Sequence, residues 1–329
     1  MKTAFITGGA GFLGSYITEN LANKGYKVIC LVKEHHDTKL IEKANVKIIR
    51  GDLLKPETFK KYIPNNCTIF HCYSLSPGAN TTKEKYFNEN VEGTKNLLRA
   101  CKKIKKFVYI SSLSVVGPRA SNNKMMNEKT EPTPDNNYGL SKLEAEKIIR
   151  KFHETNKVLT IITRLSTLYG PRCHKNSASG KLFKMIKKPI FIVIGNGNNI
   201  YEFNFIKNIA KGVILAAENV KDFGIYNVGD IKKITYNEVI NEIKKNVNKK
   251  AIIIHIPKYF AYILGYIGEL ASKITHKKTI FTIRTVNGLL GGWATSYEKA
   301  VKEIGLKQDY SLKEGIKETA EWLKEEGRI

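Results

Sequence analysis

Tyr138 and Lys142 stand four residues apart in the stretch NNYGLSKLEAE, residues 136–146. A free phenol gives up its proton only near pH 10. An ammonium on the next turn of the same helix face favours the phenolate and lowers that value. Such a pair can move a proton at a substrate oxygen. A chain with 16 tyrosines and 55 Lys and Arg residues also produces this spacing by chance, so the pair counts only if its surroundings support it. One support is YISSLSVVGP (109–118), an apolar run that carries Ser111 and Ser112 to its end. The Ser112 hydroxyl could hold the oxygen on which Tyr138 acts.

A second support is TGGAGFLG, residues 7–14, directly after the apolar run TAFIT (3–7). Gly8, Gly11 and Gly14 are spaced three apart, with Phe12 and Leu13 between the last two. A turn of this kind needs glycine to bend, to let backbone approach a pyrophosphate and to pack helix on strand. The helix that follows offers free N–H groups and a positive dipole end to the phosphates. This predicts a bound dinucleotide. At the end of the second strand a carboxylate would mark an unphosphorylated adenosine ribose. Val32 stands there instead, followed by Lys33, which would attract a ribose 2′-phosphate. NADP(H) is therefore expected over NAD(H). Gly51-Asp52-Leu53 closes the third strand, with Asp52 placed to accept a hydrogen bond from the adenine amino group.

Elements that could position these groups follow one another regularly. Strands are expected at 3–7, 27–32, 46–50, 68–72, 107–111 and 158–163, and helices at about 13–23, 56–63, 83–103 and 139–154. Alternation of this kind predicts an α/β fold, a Rossmann-type doubly wound parallel sheet with a smaller C-terminal substrate lobe. Residues 1–168 are expected to form the dinucleotide-binding domain, with about 203–230 returning to it, and 169–329 mainly the substrate-binding lobe.

The order of these motifs, together with NVEGTKNLL (90–98), YGPR (169–172) and YNVGD (226–230), resembles the extended short-chain dehydrogenase/reductases, the family of the NAD-dependent epimerases and dehydratases. The resemblance covers nearly the whole chain. It implies Ser112, Tyr138 and Lys142 as the catalytic set, Lys142 also holding the nicotinamide ribose, and it implies a homodimer. Family dehydratases carry an acid pair where Leu113 and Ser114 stand, so dehydration is not expected. Epimerases acting on nucleotide sugars commonly have an arginine where Tyr201 stands, and losing that bidentate phosphate partner argues against such substrates. The strand endings look more like the hydroxysteroid dehydrogenase and dihydroflavonol reductase branch. Tyr73 and the RLS of 164–166 depart from the family pattern near the cofactor path. The reading is an NAD(P)-dependent oxidoreductase acting on a small alcohol or ketone. A nucleotide-sugar epimerase is the alternative, and a non-catalytic dinucleotide-binding protein the second.

Composition sets the remaining expectations. A formal charge of +25 is spread along the chain in short lysine clusters, a pattern of compositional bias rather than of a nucleic-acid surface. Five cysteines (30, 67, 72, 101 and 173) form no Cys-x-x-Cys pair, so neither a disulfide framework nor a metal site is expected. His71 ends an apolar strand and reads as a buried, hydrogen-bonded residue. The most apolar later stretch, 259–271, is too short to span a bilayer and reads as a packed helix rather than a membrane-surface contact. No targeting segment precedes TAFIT, and a cytoplasmic location is expected.

Overall fold

The computed structural model describes residues 1–77, 81–117, 125–275, 283–290 and 294–329. Pro118, the last residue of the serine-bearing stretch, lies outside them. The first half contains β1 (Thr3–Thr7), α1 (Phe12–Asn23), β2 (Lys27–Val32), β3 (Val46–Arg50) and β4 (Thr68–His71). Then α2 (Lys83–Tyr86) runs through a π-helical stretch (Phe87–Glu92) into α3 (Gly93–Ala100), followed by β5 (Lys106–Ser112), α4 (Asn137–Asn156) and β6 (Leu159–Leu165). The second half contains β7 (Thr167–Tyr169), α5 (Ala178–Ile186), β8 (Ile190–Ile194), β9 (Phe203–Phe205), α6 (Ile206–Asn219), β10 (Gly224–Asn227), α7 (Tyr236–Val247) and β11 (Ile252–Ile256). Helices α8 (Lys258–Thr275), α9 (Ile283–Leu290), α10 (Glu298–Ile304) and α11 (Leu312–Glu325) complete the described chain.

Seven parallel strands form the main sheet in the order β10–β6–β5–β4–β1–β2–β3. The order reverses between β1 and β4, the switch point where Rossmann-type sheets take their ligand. The central strands are apolar on both faces: Phe5, Ile6, Ile69, Phe70, Phe107, Val108, Ile161 and Ile162 are all buried. A sheet covered by helices on both sides requires such runs. Two small parallel pairs, β7–β9 and β8–β11, belong to the second half, while β10 returns to pair with β6.

Three local expectations are corrected. Residues 56–63 form two short 3₁₀ turns, Pro56–Thr58 and Lys60–Tyr62, because a segment this short does not repay helix nucleation. The Thr58 hydroxyl instead donates to the Lys55 carbonyl at 2.6 Å. The long helix ends at Ala100 and is interrupted by the π-helical stretch. Finally, α8 is not a packed core helix. It buries Ala261 and Gly265, while Tyr259, Phe260, Ile263, Tyr266, Ile267 and Ile274 are each more than half exposed. Among the described residues no helix is long and apolar enough to cross a membrane.

Candidate active site

The glycine turn closes over the end of β1. Gly8 has φ +67°, and a Cβ there would lie 2.8 Å from the Tyr73 backbone. A Cβ on Gly14 would lie 2.0 Å from the Gly8 carbonyl oxygen. The Gly11 N–H donates to that same carbonyl at 3.0 Å. Helix α1 starts at Phe12 and Leu13 with Gly11 as its N-cap and no capping side chain. Bare backbone in front of an uncapped helix N-terminus fits the phosphates of a dinucleotide.

At the end of β2 the expected free cation is not free. Lys33 Nζ lies 3.0 and 2.9 Å from the two carboxylate oxygens of Glu89, and 3.8 Å from Asp52 Oδ2. The Tyr73 hydroxyl donates to the same Glu89 carboxylate, and Lys33 stands 5.1 Å from the centre of the Tyr73 ring. Burial works against the lysine's charge, but hydrogen bonds with Tyr73 and Glu89 outweigh it and hold Lys33 above its ordinary range. The sequence argument for NADP(H) assumed an unpaired lysine; here its charge is balanced by Glu89, and Asp52 adds a second carboxylate. Asp52 also accepts from the Leu54 N–H at 2.9 Å. Leu53 is buried against Gly93. Arg50 donates to the carbonyls of Lys33, Glu34 and His36, which fixes the loop that carries Lys33.

Ser112 and Tyr138 meet at the carboxyl edge of the sheet. Ser112 ends β5, and its hydroxyl accepts from the Ser114 N–H at 3.1 Å. Tyr138 sits in the first turn of α4, which Asn136 caps by accepting from the Gly139 N–H at 2.8 Å. Burial pushes the Tyr138 phenol up to about 12, while hydrogen bonds with Ser112 and Ser74 pull it the other way. The Tyr86 ring packs edge-on, 6.0 Å from the Tyr138 ring.

Lys142 follows one turn later on α4 and is buried. Its Nζ donates to the Ile110 carbonyl at 2.6 Å and stands 4.1 Å from the centre of the Tyr109 ring. Burial lowers it to about 7, against the pull of Glu146 and Cys72. Lys142, expected from the sequence to act on the Tyr138 phenol, is held here by the Ile110 carbonyl. The groups that pull the phenol down are Ser112 and Ser74, and Lys142 is occupied by the β5 backbone.

With this geometry in view, comparison with known proteins decides the family. The profile described as "NAD dependent epimerase/dehydratase family" matches residues 4–229. The chain belongs to that family. Among its relatives, N-acetyl-alpha-D-glucosaminyl-diphospho-ditrans,octacis-undecaprenol 4-epimerase of Escherichia coli O157:H7 is 29% identical over 72% of this chain and 71% of its own length. The decarboxylating sterol-4-alpha-carboxylate 3-dehydrogenase of Mus musculus is 27% identical over 97% of this chain and 90% of its own. The UDP-glucuronic acid 4-epimerase of Bacillus cereus, solved in complex with NAD, has the same fold, with a TM-score of 0.76 at 22% identity over 98% of this chain and 99% of that one. Family membership makes the chain an extended short-chain dehydrogenase/reductase, an enzyme that uses a nicotinamide dinucleotide.

A buried layer supports the three groups in this family member. Glu146, one turn beyond Lys142, accepts from the Ser111 hydroxyl at 2.5 Å and pairs with Arg164 at 3.0 and 2.7 Å. Asn90 accepts from the Leu75 N–H at 2.7 Å and donates to the Ser141 hydroxyl at 3.0 Å, tying the loop after β4 to the Tyr138 helix. The π-helical stretch carries both Asn90 and Glu89, and such turns recur at functional sites. His71 is buried between the hydroxyls of Thr7 (2.7 Å) and Thr94 (2.9 Å), and burial lowers it to about 3. It reads as structural, as its place in the sequence suggests.

Sequence reasoning missed Ser74, Tyr86, Glu89 and Glu146. Glu146 could have been found, since it continues the four-residue spacing of Tyr138 and Lys142. Glu89 meets Lys33 across 56 residues and carries no local signal.

Proposed function

We propose that the protein is a dehydrogenase or reductase that acts on a small, largely apolar alcohol or ketone through Ser112, Tyr138 and Lys142. The observation that carries this reading is the convergence of Ser112, at the end of β5, and Tyr138, in the first turn of α4, at the carboxyl edge of the sheet, the edge that also carries the glycine turn. A nicotinamide ring, when bound, supplies or accepts the hydride. Ser112 donates a hydrogen bond to the substrate oxygen and orients it. Tyr138, a phenol that is protonated at neutral pH and that burial keeps so, gives its proton to that oxygen during carbonyl reduction and recovers it in the reverse direction. Lys142, held to the Ile110 carbonyl, fixes the turn of α4 from which Tyr138 projects.

The cofactor is NAD(H) in this reading. The 2′-phosphate of NADP(H) would meet Lys33 together with Glu89 and Asp52, a cluster whose carboxylates outnumber its cation. In this reading Lys33 and Glu89 share hydrogen bonds with ribose hydroxyls instead. The substrate rests on residues from 169 onward. At the place where a phosphate-gripping arginine is common, the Tyr201 ring packs 4.8 Å from that of Tyr236 and 5.8 Å from that of Phe203, which suits an apolar partner.

The second reading, an epimerase, is favoured by the 29% identity to the undecaprenol-linked sugar epimerase. The two differ in cofactor balance, because an epimerase returns the hydride it takes. Purified protein would be incubated with NADH and a panel of carbonyl compounds, and separately with sugar nucleotides. Net NADH oxidation by a carbonyl compound supports the oxidoreductase. Interconversion of sugar isomers with no net change in cofactor overturns it.

A further inference from the structure

Helix α8 is built the wrong way round for a soluble surface. A surface helix normally buries its large apolar residues and exposes polar ones. Here the small residues Ala261 and Gly265 form the packed stripe, with Ala261 joining Val286 and Ile194 in a minor core. The large residues point outward: Tyr259 (70% exposed), Phe260, Tyr262, Ile263, Leu264, Tyr266, Ile267, Leu270 and Ile274 (72%). Its only carboxylate, Glu269, is turned inward and accepts from the Ile283 N–H at 3.1 Å. The adjoining β8–β11 pair adds a second apolar exposure. Its register sets Ile190 opposite Ile252 and Ile192 opposite Ile254, and all four are exposed.

Cations frame this unit. Lys187 and Lys188 stand one residue before β8, and Lys249 and Lys250 one residue before β11; all four are exposed. Asn248 bonds the Lys187 carbonyl at 2.9 Å and so brings the two lysine pairs to the same end of the sheet. Lys258, also exposed, opens α8. We propose that α8 and the β8–β11 pair dock on the surface of an anionic lipid bilayer, with the large apolar side chains of α8 in the acyl boundary and the lysines on the headgroups. Tyrosine and phenylalanine beside isoleucine and leucine suit that boundary, where an amphipathic ring meets both water and hydrocarbon. Exposure around most of the helix, rather than along one stripe, matches a fluid solvent better than a groove. A second copy of the chain fits less well, because burying this face against itself would bring two like-charged sets of lysines into one interface.

Flotation with lipid vesicles tests the proposal. The full chain should float with vesicles of phosphatidylglycerol and phosphatidylcholine at low salt, and stay behind with phosphatidylcholine alone or at high salt. Ile263→Glu with Tyr266→Glu, both at exposed positions, should weaken binding by at least about tenfold, the scale of losing two buried apolar side chains. Lys187→Glu with Lys188→Glu should weaken it as well. Unchanged melting temperature and dinucleotide affinity in both variants would show that the fold is intact. Two results would overturn the proposal: equal flotation with both vesicles, or a wild-type chain that floats with neither, which, combined with a dimer that the Ile263→Glu/Tyr266→Glu variant converts to monomer, would assign the face to a second copy.

Discussion

Lys33 Nζ lies 2.9 Å from Glu89 Oε2, so the cation at the end of β2 meets a carboxylate before it can meet any cofactor. Both side chains are partly exposed, and solvent screens the pair. The expected wild-type preference is therefore for NADH over NADPH. Glu89→Gln removes the opposing charge and frees Lys33. Calorimetric titration should then show NADPH binding strengthened by about tenfold, or ~1.4 kcal/mol, with NADH changed much less. If the wild type already prefers NADPH, Glu89 does not set the selectivity.

Tyr138→Phe keeps the ring that packs against Tyr86 and removes the hydroxyl that meets Ser112 and Ser74. Dinucleotide affinity should stay near wild type, while turnover falls by roughly two to four orders of magnitude, the usual scale of general acid–base catalysis. Single-turnover kinetics on the preferred carbonyl substrate would measure this. Wild-type turnover in the variant would remove Tyr138 from the mechanism.

What could be read from sequence was whatever local periodicity controls. The expected bounds of β1, β2 and β3 coincide with those observed, because each is a short apolar run closed by glycine or charged residues. The glycine turn was equally legible, since three glycines in a fixed pattern after a strand answer to backbone geometry alone. The partners of Lys33 and Lys142 were not legible. Glu89 reaches Lys33 from a π-helical turn, and the Ile110 carbonyl belongs to a strand 32 residues before Lys142. Helical spacing could place Lys142 near Tyr138, but not show that burial would leave the ammonium serving the backbone. The exposure of α8 was missed for a related reason: an apolar run predicts burial, and only tertiary structure shows that small residues took the packed face.

Burial of Lys142 has a consequence for stability. Below about pH 7 the lysine is protonated in both folded and unfolded chains, and the fold bears the full cost of burying the charge. Between about 7 and the ordinary value of 10.5 the unfolded chain keeps the proton that the folded chain has lost, so stability rises with pH. Lys142→Met removes this dependence. The wild-type unfolding free energy, less that of the variant, should climb across this window by at most about 1.4 kcal/mol per pH unit. Urea titrations at a series of pH values would measure it, and a flat difference would mean that Lys142 keeps its charge in the fold.

Glu146 and Arg164 form a buried ion pair directly behind the site, each 5% exposed or less at the side chain. Arg164 already has one terminal nitrogen, Nη1, without a hydrogen-bond partner. Glu146→Gln would leave the guanidinium buried with no opposing charge and would weaken the acceptor that holds Ser111 beside Ser112. Breaking one side of such a pair costs about 3–5 kcal/mol, more than replacing both members by apolar residues. The expected result is a large drop in the urea midpoint with an unchanged denaturant slope, which would mean lost stability rather than an altered unfolded state. The double change Glu146→Leu with Arg164→Met should recover much of that stability, because no charge is then left uncompensated. If the single variant loses less than about 1 kcal/mol, the scale of an exposed pair, solvent reaches Arg164 and the buried layer does not hold the site as a unit.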